Sequence, residues 1–169
     1  LEKSSINRVT YRRDFTNWST TGSPTVTADQ AVGKDGLQLA DDITVGLEGV
    51  DDVYLYCTGF TASAELSFSI YVKRISTTGV LNIQNSAGAA YGKYQIDLAY
   101  LSYDWELIIK NHPNVTTVTA FTADRTGAGG LKFFASSGTV NFYADFDHQE
   151  EGKVLTSTIH DQAEGSTVA

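Results

Sequence analysis

The chain has 169 residues, with 12 basic and 20 acidic side chains that give a formal net charge of −8 and a pI near 4.7. That balance argues against nucleic acid as a partner, because phosphate binding rests on Lys and Arg. It also disfavours anionic membranes and highly charged acidic polysaccharides unless basic side chains cluster locally. Hydrophobic residues make up 41% and charged residues 19%, as in a globular chain, and no apolar run approaches the ~20 residues needed to span a membrane.

Cys57 is the only cysteine, which rules out an intrachain disulfide, and its segment lacks the electropositive setting of a reactive thiol, so it reads as a small buried hydrophobe. Methionine is absent even at position 1 and no basic-then-apolar signal segment opens the chain, which reads as a fragment or processed product.

In chain order, residues 7–18 hold a short extended stretch ending at a polar turn, with Trp18 expected to cap the core. Residues 24–28 form a β-branched strand. The turn Gly33-Lys34-Asp35-Gly36 then leads into the apolar positions Leu37, Leu39 and Ile43. Three half-buried strands follow at 53–57, 66–73 and 80–85, each alternating aliphatic or Phe positions with Tyr or polar ones, and 94–98 resumes the pattern. Trp105 is expected to share a core face with Leu107 and Ile109. A Thr-rich strand is predicted at 115–123. The glycine-rich loop at 124–130 is not a phosphate loop, because no Lys-Ser/Thr pair ends it and a strand follows instead of a helix. In the last long strand Val140, Phe142, Ala144 and Phe146 alternate with Asn141, Tyr143, Asp145 and Asp147, so one face reads as core and the other as wet surface. It stops at Glu150-Glu151-Gly152, and Thr156-Ser157-Thr158-Ile159 follows.

No run of ten or more residues has helical spacing, and roughly ten short strands at intervals of about ten to fifteen residues predict an all-β, two-sheet antiparallel β-sandwich of the jelly-roll type. Residues 1–160 are expected to form this single domain and 161–169 a tail or linker to a neighbour. The first and last strands should lie near each other or be tied down.

Several segments resemble the jelly-roll modules, similar to carbohydrate-binding modules, of bacteriophage tail-fibre and tailspike proteins. The opening positions are Asn7, Tyr11, Asp14, Phe15 and Trp18; the second motif is Asp35-Gly36 with Ala40-Asp41 and Ile43. The strand Phe68-Ser69-Ile70-Tyr71-Val72-Lys73 and Trp105 before a late strand also match, as do Glu150, Gly152, Thr156, Ser157 and Ile159 at the end. Lys34 replaces a usual Pro, and His148, Gln149 and Thr158 depart from the usual Gln, Leu and Tyr. The resemblance implies a virion location on a tail or fibre, with bacterial surface polysaccharide and other tail proteins as partners and a homotrimeric parent. It also implies one metal option, a calcium ion held between Asp14 and Asp145 or Asp147; otherwise no cofactor is expected.

His112, His148 and His160 lack zinc-motif spacing and read as solvated or loosely bonded. Asp145 and Asp147 are expected on one side of a strand, about 6.5 to 7 Å apart, but a wet face leaves both ionised, so the chain is not expected to be an enzyme. If the aliphatic sets face inward, the outward set includes Tyr54, Tyr56, Tyr71, Lys73, Asn82, Gln84, Gln95, Asp97, Tyr143 and Asp145. Tyrosine faces suit sugar C–H groups, while amides and carboxylates suit hydroxyls. The glycan-binding candidates are Tyr54, Tyr56, Tyr71, Lys73, Gln84, Tyr143 and Asp145, with ordinary cross-strand tyrosine pairing as the bland alternative. The expected function is a non-catalytic receptor-recognition module. A structural or assembly joint of the same appendage is the alternative, and a polysaccharide-degrading domain is the third reading.

Overall fold

Alternating apolar and polar residues bury one side of a strand and wet the other, so a chain made of such strands closes its core by laying one sheet on another. The computed structural model of the chain describes residues 13–152 and the backbone of 5–6 and 167–168. In chain order its strands are β1 (Ser5–Ile6), β2 (Ser19–Thr21), β3 (Thr25–Ala31), β4 (Ala40–Val45), β5 (Asp52–Cys57), β6 (Leu66–Arg74) and β7 (Val80–Asn85). They continue with β8 (Lys93–Asp97), β9 (Glu106–Ile108), β10 (Val115–Thr119), β11 (Gly129–Ala135), β12 (Val140–Glu151) and β13 (Thr167–Val168). Single 3-10 turns occur at Phe15–Asn17, Ala89–Tyr91 and Leu98–Tyr100, and the described residues contain no α-helix.

One sheet has six strands in the order β10-β8-β7-β11-β5-β2 and the other five in the order β3-β4-β12-β6-β9. Every pairing is antiparallel, including a small third pair in which Ser5 faces Val168 and Ile6 faces Thr167. This is the expected all-β sandwich, and it places the two ends of the chain side by side. The closing motif at 156–159 and the opening positions Asn7 and Tyr11 lie outside the described residues.

The core lies between the sheets. Val45, Val53, Ile70, Val72, Leu81, Ile83, Ile96, Ile108, Leu131, Phe133, Val140 and Phe142 are fully buried there. Phe142 of β12 meets Phe133 of β11 edge-on at 5.7 Å, and Trp18 stacks on Phe133 at 5.3 Å, so Trp18 caps the core as expected. Cys57 is buried, and burial first, with the Asp147 charge second, pushes its thiol up to about 12.

The alternation breaks in two places. Phe146 takes a positive φ of 52° and the β12–β6 register slips between Asp145 and His148, a β-bulge in which one extra residue turns the strand over. Phe146 therefore leaves the core side and meets Tyr71 on the outer side, correcting its expected place beside Phe142 and Ala144. On β9 the frame is offset by one residue: Ile108 enters the core, while Trp105 and Leu107 pack outside with Tyr71 and Phe146. His148 is also fully buried, 3.3 Å from Glu150, rather than solvated.

Asp41 ties the N-terminal turn to the sandwich by accepting the backbone N–H of Phe15 at 2.8 Å and of Asp29 at 3.0 Å. Burial pushes its carboxyl up to about 6 from the usual 3.8, against the pull of those two hydrogen bonds.

Replacing Phe142 with Ala should cost about 3–5 kcal/mol of unfolding free energy in urea titrations, because it empties the inter-sheet contact with Phe133. Since the folded pKa of Asp41 is raised, the folded state holds a proton that the unfolded chain has already released between pH 4 and 6. The contribution of Asp41 to stability is thus present in acid and lost as pH rises through that window. The difference in unfolding midpoint between the wild type and Asp41→Asn should shift in favour of the variant as pH rises from about 4 to 6.

Candidate functional site

The predicted outward residues divide between the two opposite outer faces of the sandwich. On the six-stranded sheet, cross-strand register sets Lys93, Gln84, Lys132 and Tyr54 in one row across β8, β7, β11 and β5. A second row holds Gln95, Asn82 and Phe134. Gln95 Nε2 donates to Asn82 Oδ1 at 3.0 Å, and Asn82 Nδ2 donates to Ser136 Oγ at 2.9 Å. The Lys132 ammonium lies 5.7 Å from the Tyr54 ring and that of Lys93 lies 5.5 Å from Phe134, cation–π contacts that hold both stems along the sheet. Tyr56, farther along β5, is 53% exposed. Its register partner is Gly130, so no side chain stands opposite its ring.

The loop between β4 and β5 reaches over this face. Gly46 N–H donates to Asp51 O at 2.8 Å, Gly49 N–H to the Asp52 carboxylate at 2.7 Å, and Ser23 N–H to Asp51 Oδ1 at 2.8 Å. Gly22, at φ +69°, lets the β2–β3 turn approach so closely that a Cβ there would fall 1.6 Å from Val50 O. The braced loop sets Glu48 over the row: its Oε1 accepts from Gln84 Nε2 at 2.9 Å and lies 3.6 Å from Lys132 Nζ. Gln84, expected to be offered to solvent, is therefore 1% exposed and forms the floor beneath Glu48; Asn82 is equally covered. Asp97 is spent on capping the following turn through Ala99 N–H at 3.0 Å.

Tyr71, Lys73, Tyr143 and Asp145 lie on the other outer face, that of the five-stranded sheet, where Tyr143 faces Lys73 and Asp145 faces Tyr71. Tyr143 and Lys73 are half-buried. Asp145 is not on a wet surface: it is fully buried, with the Arg13 guanidinium on both oxygens, Nε to Oδ1 at 2.8 Å and Nη2 to Oδ2 at 3.0 Å. Burial pushes its carboxyl above the usual range, with Arg13 pulling the other way. Arg13 also donates to Asp35 at 2.8 and 3.1 Å and lies 3.9 Å from the Phe146 ring. Gly33 approaches so closely that a Cβ there would fall 2.1 Å from Asp145 Oδ2, and Trp105 Nε1 donates to Val32 O at 3.0 Å. The β3–β4 loop is thus fastened down over Tyr71, which is 8% exposed and unavailable as a sugar platform.

This geometry bears on two chemical expectations. The bulge at Phe146 places Asp145 on the outer side, while the Asp147 charge bears on Cys57 between the sheets. The two carboxylates do not flank a common space. For calcium, Asp14 is exposed and spends its oxygens on the Thr16 and Asn17 side chains, and the Asp145 carboxylate already has Arg13 as its cation. The described residues contain no group of three or more His, Cys, Asp or Glu that could hold a metal ion.

Sequence reading missed Arg13, Glu48, Lys93, Lys132 and Phe134. Lys132 and Phe134 were within reach of period-two reasoning, since Leu131, Phe133 and Ala135 are their inward neighbours. Arg13 and Glu48 come from outside the strands and carried no periodic signal.

Arg13→Leu should destabilise the fold by about 3 kcal/mol or more, because Asp145 is then buried without its cation. Asp145→Asn should cost less, because Arg13 keeps Asp35. Urea unfolding of both variants measures that asymmetry.

No protein-family model matches the chain, and no curated protein matches it in sequence. Among solved structures, the CBM22-1 and GH10 modules of Clostridium thermocellum endo-1,4-beta-D-xylanase 10B, complexed with xylohexaose, share 17% identity with it at a TM-score of 0.51. That match covers 91% of this chain and 29% of the xylanase chain. The enzymatically active domain of bacteriophage CBA120 tailspike protein 4 matches at 14% identity and TM-score 0.48, over 85% of this chain and 21% of its own. CtCBM11 matches at 13% identity and TM-score 0.44, over 82% of this chain and 90% of its own. The chain thus spans only a part of the xylanase and tailspike chains, and the likeness to the xylanase modules shows the fold alone, a jelly-roll β-sandwich.

Proposed function

We propose that the chain is a non-catalytic glycan-binding module whose binding surface is the outer face of the six-stranded sheet. The observation that carries this reading is the exposed Tyr56 ring beside Tyr54, on a continuous sheet face whose next positions are Lys132, Gln84 and Lys93. A flat aromatic face next to donors at strand spacing suits a sugar chain, which offers C–H patches and hydroxyls in alternation. The fold shared with xylanase modules complexed with xylohexaose supports a saccharide as the ligand class. The opposite face is closed by the β3–β4 loop, which favours the six-stranded side. Binding without catalysis is supported by the carboxylates: Glu48 is engaged with Gln84 and Lys132, and Asp145 and Asp147 point to different sides of β12.

The segments Asp35-Gly36, Ala40-Asp41 and Phe68 to Lys73, which resemble phage tail-fibre and tailspike modules, support a virion appendage as the setting. In that setting the ligand is a bacterial surface polysaccharide, the neighbours are other tail proteins, and a trimeric parent raises avidity by repetition. Such a role needs no membrane span, and among the described residues no helix is long and apolar enough to cross one.

On a glycan array, Tyr56→Ala and Tyr54→Ala should each weaken saccharide binding at least about tenfold while leaving the unfolding midpoint near that of the wild type. Tyr143→Ala, on the opposite face, should leave binding unchanged. Failure of the wild type to bind any saccharide on the array would overturn the reading.

A further inference from the structure

Resting on the glycan-binding reading above, we propose that the six-stranded face selects glycans bearing carboxylates, such as those built from uronic acids, and that Glu48 occupies the ligand carboxylate's place in the free protein. The chain is acidic overall, yet Lys93 and Lys132 stand in one row with Gln84 between them. At ordinary strand spacing the two lysine positions are about 9–10 Å apart. Such a local cluster is what an anionic sugar chain needs in order to approach a protein of this net charge.

The Glu48 carboxylate shows what the row binds. An amide N–H from Gln84 at 2.9 Å and an ammonium from Lys132 at 3.6 Å converge on its Oε1. Gln84 is covered, at 1% exposed, and the Lys132 side chain is 20% exposed, whereas Glu48 comes from a surface loop and its side chain is 42% exposed. Losing the carboxylate leaves a buried amide donor unpaired, while releasing Glu48 to water costs that side chain little. The Gln84 amide and the Lys132 ammonium therefore converge on one oxygen acceptor, and the Glu48 carboxylate that fills this place is exchangeable.

Gln84 Oε1 is a second, independent mark of an incomplete site. It is buried and has no hydrogen-bond partner among the described residues. A ligand that delivers a carboxylate to Gln84 Nε2 and Lys132 Nζ brings with it the hydroxyls of the same sugar ring, and one of these donates to Oε1. Gly130, opposite Tyr56, leaves room for the next ring to lie on that tyrosine. Glu48 acts as a competing internal carboxylate, so its removal tightens binding, and a neutral or esterified glycan cannot fully replace it.

Isothermal titration with a panel of oligosaccharides containing galacturonate, glucuronate or mannuronate, their methyl esters, and neutral xylohexaose tests this. At least one uronate oligosaccharide should bind about tenfold or more tightly than its own methyl ester, and Lys132→Gln should erase that preference. Glu48→Gln should tighten uronate binding by up to about tenfold, by removing the competitor. Asp29→Asn, which removes an equal charge from an exposed position on β3 of the other sheet, should not change it. Equal binding of every acid and its ester, or uronate binding unaffected by Glu48→Gln, overturns the carboxylate proposal. If neutral oligosaccharides then still bind in a Tyr56-dependent way, the glycan-binding reading stands alone. Absence of binding to any saccharide by both the wild type and Glu48→Gln removes both.

Discussion

The inter-sheet contact of Phe142 with Phe133, closed from the side by Trp18, is the constraint from which the rest of the molecule follows. Each sheet buries its main apolar side against the other, and on the outer side of the five-stranded sheet only the smaller cluster of Tyr71, Phe146, Trp105 and Leu107 gathers. The outer sides are then free to be polar and to differ. On the five-stranded sheet the chain uses that freedom to fasten a loop, through Arg13, Asp35, Asp145 and the Val32–Trp105 hydrogen bond. On the six-stranded sheet it leaves aromatic and cationic groups accessible around a covered amide floor.

How much of this was legible in the amino-acid sequence depends on whether the signal was periodic. Strands such as Val80–Asn85 and Leu66–Arg74 were readable almost to the residue, because period-two alternation over six or more positions admits one geometry. The wet-face assignment of Tyr54 and Tyr56 followed from the same pattern. Alternation does not reveal which sheet a strand joins, so residues from β5 and β7 were grouped with residues from β6 and β12 that lie on the opposite side of the molecule. Nor does it reveal what comes down on a face afterwards. Asp145 looked wet because its own strand made it outward; the Arg13 guanidinium, 132 positions away in the chain, is what buried it.

The Phe146 bulge shows the same limit at the scale of one residue. Sequence read Asp145 and Asp147 as a pair on one side, the arrangement that glycoside hydrolysis requires. A single positive φ at Phe146 reverses the strand's facing, and an apparent acid pair becomes one member of an outer ion-pair network and one charge between the sheets. The inserted residue is not wasted, since its ring packs against Tyr71 and lies beneath the Arg13 guanidinium. A departure from alternation thus gives the network its apolar backing.

The pairing of Ser5 with Val168 and Ile6 with Thr167 has a mechanical consequence. Where the first and last strands run antiparallel beside each other, tension applied to both ends of the polypeptide peels that short pair open one hydrogen bond at a time. The load reaches the sandwich only after the clasp has given way. A domain fastened in this manner hangs to one side of a pulled chain instead of stretching in line with it, and its six-stranded sheet keeps its shape under forces that have already parted the ends.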